Sequence, residues 1–341
     1  MHPAHTRPLR QRALLIVGAL LLAAFASLLV AGMTGSIALA PAELPAALVQ
    51  VLRGQPDSMA ATLLELRAGR ALTAFVTGGA LALAGVMMQA LLRNPLADPY
   101  ILGISAGASV GALLALLLMC AAATVDAAAL GGAVAVSMLL YLFARRDMRS
   151  GAALDAGTSM LLLTGVILSS SCMALVTLML SVAPEGRLRS MVFWMIGDLA
   201  GAPLRPLPWI VLGAALVYAL RSARAMNVLA LHADSASTLG IRVGALRKGL
   251  FFVSGLLTAS AVTSAGSIGF IGLIIPHACR FAFGPDHRVL IPAAVLGGGG
   301  FLVLCDTLAR TVVAPTQLPV GAITALIGAP VFLYQLHQLR K

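Results

Sequence analysis

The chain has 341 residues, 60% of them hydrophobic and only 10% charged, with a mean hydropathy of +0.98, whereas soluble domains carry roughly 25% charged residues. A soluble fold of this length cannot hide so much apolar surface, so the bilayer must act as its solvent. The net charge of +11 forms no basic face: the cations, mostly Arg, sit in the gaps between apolar runs, which is topology signal and argues against a nucleic-acid role.

Arg7, Arg10 and Arg12 precede the first apolar run, Ala13 to Ala31, and Ala38-Leu-Ala40 imitates a signal-peptidase site. The run is about twenty residues, long enough to span and longer than a usual signal h-region. Further spans follow, so it reads as an uncleaved first helix. The apolar runs predict about ten spans, at 13–33, 62–92, 101–119, 122–144, 157–182, 206–220, 247–265, 268–283, 289–310 and 319–338. The amphipathic segment 187–201 is too short to cross and is expected to lie on the membrane surface. The runs 206–220 and 268–283 are short and bear Gly or Pro, so they would span only with support from neighbours.

With the N-terminus in the cytoplasm, ten spans place sixteen Lys and Arg inside and seven outside, out of 23 in the chain. That is the expected bias, and it puts both termini inside. The outer seven include Arg67, Arg70 and Arg310. Arg67 and Arg70 are three apart and share one side of a helix. Taken alone, such a pair is more often a lipid-headgroup anchor.

Between the second and third spans runs Gln89-Ala-Leu-Leu-Arg-Asn-Pro-Leu-Ala-Asp-Pro-Tyr-Ile-Leu-Gly-Ile-Ser-Ala-Gly107. Pro and Asn stop the first helix near Arg93. The next helix opens with Gly103, Gly107 and Gly111, four apart, a spacing that lets membrane helices approach closely. The wording of this turn resembles the signature of the permease subunits of type II ABC importers for iron-siderophores, haem and vitamin B12. Gly266-Ser-Ile-Gly-Phe-Ile-Gly-Leu-Ile-Ile-Pro-His277, followed by Gly284-Pro-Asp-His-Arg288, looks like that family's second signature. Leu318-Pro-Val-Gly-Ala-Ile-Thr-Ala-Leu-Ile-Gly-Ala-Pro-Val-Phe332 looks like its C-terminal one.

The resemblance implies an all-α integral membrane fold, residues 1–341 forming one permease domain of about ten transmembrane helices. It also implies a homodimer around a central pathway, in a bacterial inner membrane. The implied partners are a second copy, two cytoplasmic ATPase subunits and a periplasmic substrate-binding protein. ATP and Mg would sit on the ATPase and no cofactor on this chain. In the family, arginines placed like Arg67, Arg70 and Arg310 receive acidic residues of the binding protein, although Gly69 stands here where the family usually has Pro. The segment 224–242 resembles a coupling segment for the ATPase, with Leu231, Asp234, Ser235, Leu239, Gly240 and Ile241 as contacts. It is read as a short helical piece broken by Asp234, Ser235 and Ser237 and closed by Gly240. The family usually has Gly and acidic residues where His232, Ala233 and Asp234 stand. Asn94 and Leu96, with Thr158 and Ser159 in the loop before the fifth span, match positions that narrow the cytoplasmic end. Helix capping explains Thr158 and Ser159 equally well.

No enzyme is expected. Lys248 and Lys341 each follow Arg rather than Gly, so there is no P-loop. The spans are expected to lack the buried carboxylates or histidine chains of ion-coupled carriers, because Asp126, Asp147, Asp155 and Asp286 fall at helix ends or loops. Cys120, Cys172, Cys279 and Cys305 have no metal spacing and read as buried small residues. The rival function is an ATP-independent secondary carrier or channel.

Overall fold

The computed structural model describes residues 9–35, 37–145, 154–231 and 239–339, and among them every regular element is helical. In chain order these are α1 (Leu9–Met33), α2 (Leu44–Leu52), α3 (Met59–Leu92), a 3₁₀ turn (Pro99–Leu102), α4 (Ile104–Leu117) and α5 (Ala122–Ala144). Then come α6 (Leu154–Val182), α7 (Glu185–Ile196), α8 (Pro206–Leu231), α9 (Val243–Ala265), α10 (Ile271–Phe283), α11 (His287–Ala309) and α12 (Val320–Leu339). Seven of these are long and apolar enough to cross a membrane, and α4, α10 and α12 are shorter apolar helices. Together they account for the ten predicted runs.

The architecture is built around α3, which is buried along most of its length. Its 34 residues span about 50 Å at 1.5 Å per residue, well beyond a hydrocarbon core of about 30 Å. Arg70 and the C-capping Arg93 are therefore roughly 35 Å apart along it, a separation close to the thickness of a hydrocarbon core. Gly78 faces α11 so closely that a Cβ there would meet the Gly298 carbonyl oxygen at 2.2 Å. Gly107 and Gly132 do the same between α4 and α5, where a Cβ on Gly132 would lie 2.1 Å from the Gly107 carbonyl. Small residues thus replace hydrophobic driving force as the reason the helices pack. Outside this core, α1, α5, α6 and α8 expose large apolar side chains such as Leu22, Phe143, Ile167 and Ile210. In water such a surface would be costly, and in lipid it is solvated.

Four elements differ from the sequence reading. The 206–220 run is no short support-dependent span: α8 continues for 26 residues, because Arg221, Ala223, Arg224 and Ala225 are good helix formers that carry it out of the apolar zone. Thr158 and Ser159 lie inside α6, which starts at Leu154, so they are not in a loop. Helix α2 has no counterpart in that reading. Its nine residues fold back on α3 through Ala47, which packs on Ala60 and Ala61.

The predicted 268–283 run is helical only from Ile271. The preceding backbone, Gly266 to Phe270, is irregular, and its polar groups find partners from other signatures. The Tyr100 hydroxyl donates to the Ile268 carbonyl at 2.9 Å and accepts from the Ile268 N–H at 3.1 Å. Ser105 and Ser267 hydroxyls bond at 2.8 Å. The end of α7 is satisfied in the same manner: the Gly321 N–H donates to the Gly197 carbonyl at 3.3 Å, and a Cβ on Gly321 would fall 1.7 Å from the Ile196 carbonyl oxygen. Non-helical backbone at membrane depth is tolerable only where it is satisfied in this way.

Candidate functional site

At the N-terminal end of α3 the structure brings Arg67, Arg70 and Arg310 together around a cavity of about 540 Å³, which Gln317 and Pro203 also line. A buried carboxylate organises the group. Asp306, in the last turn of α11 and 1% exposed, accepts from Arg70 through a fork: Nε at 2.9 and 3.0 Å, and Nη2 at 2.8 Å. Arg310, one turn further along α11, holds its Nε 3.7 Å from Asp306 Oδ2. The expectation that the spans lack a buried carboxylate is therefore wrong at Asp306. The sequence signal was available, since Asp306 and Arg310 form an i,i+4 pair at the end of an apolar run. With charge satisfied on the spot, Asp306 is unlike the relay carboxylates of ion-coupled carriers.

The three arginines are not equivalent. Arg67 is buried and donates to the carbonyls of Met33 (3.2 Å), Gly32 (3.5 Å) and Ile37. Arg310 is buried too and donates to the Ala31 carbonyl. Both therefore satisfy the open carbonyls at the C-terminus of α1, where a helix dipole favours a cation. Arg70 is the more accessible one. Its Nη1 donates to the exposed Gln317 at 2.9 Å.

At the opposite end, Arg93 closes α3 in a left-handed conformation (φ 49°). Asn94 Oδ1 accepts from the Leu96 N–H at 2.9 Å, making an Asx turn that leaves Leu96 exposed. Asp98 caps the following 3₁₀ turn, accepting from the Tyr100 N–H at 2.7 Å. Burial pushes its carboxyl up to about 6, against the lowering effect of that backbone N–H. Beside this turn the Arg280 guanidinium donates to Gln89 at 2.8 Å, and Asn227 of α8 donates to Asp286 at 2.7 Å.

The segment 224–242 begins as the last two turns of α8, so its first part is no separate short helix. Leu231 ends that helix, and Asp234 and Ser235 lie outside the described residues. Leu239 is 70% exposed, and Ile241 packs partly on the core. Gly240 takes a φ of 78° that glycine adopts without strain. Cys172, Cys279 and Cys305 are buried and all four cysteines are free. Among the described residues no three His, Cys, Asp or Glu side chains cluster as metal ligands would.

The model of the FecCD transport family matches residues 12–338. The cobalamin import system permease protein BtuC of Halobacterium salinarum is 40% identical over 289 residues, covering 83% of this chain and 75% of that protein. The vitamin B12 import system permease protein BtuC of Escherichia coli O9:H4 is 39% identical over 282 residues, 81% of this chain and 84% of that protein. Among solved structures, a metal-chelate type ABC transporter in an inward-facing conformation superposes with a TM-score of 0.82 at 30% identity. That match covers 95% of this chain and 99% of the other.

Proposed function

Because the chain belongs to the FecCD transport family, we propose that it is the permease subunit of an ATP-driven importer for a metal chelate, with cobalamin as the cargo. The 40% identity to a cobalamin import permease over most of both chains carries this reading. The protein is a multi-pass membrane protein and a transport component, not a catalyst.

The reading assigns ATP and Mg to a separate ATPase, two copies of which would meet the 224–242 segment through Leu231, Asp234, Ser235, Leu239, Gly240 and Ile241. A binding protein would dock at Arg67, Arg70 and Arg310. The asymmetry of Lys and Arg along the chain supports placing both termini in the cytoplasm of a bacterial inner membrane. Asn94, Leu96, Thr158 and Ser159 would narrow the inner end of the pathway.

A second copy is part of the reading for a physical reason. A chelate of roughly a thousand daltons has no room inside a bundle whose helices meet backbone to backbone at glycine. Helix α6 exposes apolar side chains together with the hydroxyls of Ser170, Ser171 and Thr177. Two such faces related by a twofold axis would make a passage with few specific contacts.

The test is uptake of labelled cobalamin in a strain lacking its own permease, supplied with this chain and its cognate ATPase and binding protein. Uptake that requires all three supports the reading. Uptake of a ferric siderophore or haem instead of cobalamin overturns the cargo, and uptake that persists without the ATPase points to a carrier or channel.

A further inference from the structure

The outer arginine group contains a residue whose position is too specific for a charge-neutralising partner alone. A guanidinium has five N–H donors on three nitrogens. Asp306 takes the Nε and Nη2 edge of Arg70 at 2.8 to 3.0 Å, and Gln317 takes one Nη1 donor at 2.9 Å. One N–H therefore remains on each terminal nitrogen, and Gln317, being exposed, can yield its place. Arg70 lines the cavity, whereas Asp306 is buried beneath it with a side chain only 2% exposed. A carboxylate held that deep cannot itself meet a partner. It can fix the plane of the guanidinium above it, and a planar fork recognises a second carboxylate only in a defined orientation.

Building on the docking role of Arg70, we propose that Asp306 is a positioning residue: it holds Arg70 with its terminal nitrogens toward the outer cavity, so that a carboxylate of the binding protein is received bidentately. Arg67 and Arg310, committed to the carbonyls of Ala31, Gly32 and Met33, supply charge to the cavity and rigidity to its wall. Fork geometry acts on the lifetime of a complex, and net charge acts on the encounter rate.

The experiment measures association and dissociation of labelled binding protein on the full importer, permease with ATPase, in nanodiscs. Asp306→Asn should speed dissociation about tenfold and leave association no slower, because the cavity loses a negative charge. In an Arg70→Gln background the same change should add nothing. Slower association with unchanged dissociation, or a full-sized added effect in that background, would overturn the proposal. Where Asp306→Asn fails to insert, Arg70→Lys decides: it keeps the charge but not the fork, so it should dissociate faster with association preserved. A wild-type dissociation rate for Arg70→Lys overturns the positioning role. Wild-type rates in both directions for Arg70→Gln would instead remove the docking role of Arg70.

Discussion

Tyr100 and Ile268, 168 residues apart, hold each other through one side-chain oxygen that both donates to and accepts from the same peptide unit, at 2.9 and 3.1 Å. The contact joins the turn after α3 to the irregular backbone before α10. Tyr100→Phe keeps the ring and removes both bonds, leaving an N–H and a C=O without partners at a buried residue. Each such group costs about 1–3 kcal/mol. The variant should still insert but should unfold at a clearly lower temperature in detergent. A wild-type melting profile would mean that water or another side chain already serves Ile268.

Gly85 lies so near α10 that a Cβ would sit 1.9 Å from the Gly272 carbonyl oxygen, whereas a Cβ on Gly131 would meet nothing within 4 Å. Gly85→Ala must push two helices apart, and overpacking of this kind costs roughly 1–3 kcal/mol or more. Gly131→Ala should be neutral or slightly stabilising, since helical Gly is about 1 kcal/mol worse than Ala. Size-exclusion profiles of fluorescent fusions should show loss of folded protein for the first and none for the second. Equal profiles would count against the close α3–α10 contact.

The spans were legible in sequence because lipid enforces a simple rule, long apolar runs separated by charge. What hydropathy could not show was conformation at the ends of runs. Helix α8 outlasts its apolar stretch because Arg221 and Arg224 favour helix as much as they favour water. The 268–283 run begins non-helically because Tyr100, far away in sequence, satisfies its backbone. Arg67 and Arg70 could be paired by their spacing and Arg310 by its place at the end of an apolar run, whereas a docking role for the three came only from the family resemblance. Asp306 was overlooked in its apolar run although its i,i+4 spacing to Arg310 was readable, and the division of labour among the arginines depends on where α1 ends.

That division is testable. Arg70→Glu should slow binding-protein association most at low salt, because the affected pair is partly exposed and screened. Arg67→Gln and Arg310→Gln should chiefly loosen α1, lowering thermal stability by about 1–3 kcal/mol as the α1 carbonyls lose charged donors. The check is to compare association kinetics and melting for all three. If Arg67→Gln melts like wild type while Arg70→Glu associates normally, both assignments fail together.

Leu239 is exposed and Ile241 half-buried beside the left-handed Gly240. Replacing both with Asp should abolish retention of the ATPase in a pull-down from detergent, with membrane insertion intact. Normal retention would move the coupling contact elsewhere on the cytoplasmic face.

Asp98 offers a test by pH. Its folded pKa of about 6 stands above the usual carboxylate value of 3.8, so the folded chain binds the proton more tightly than the unfolded one. Stability from this group is therefore fully present below about pH 4 and falls as pH rises through the window up to about 6. Asn at this position keeps an oxygen to accept from the Tyr100 N–H and carries no ionisable proton. Asp98→Asn should melt above wild type at pH 7.5, and the difference should shrink as pH is lowered toward 4. A difference of constant size across that range would mean that the charge of Asp98 is already compensated, and that the capping bond alone governs the turn.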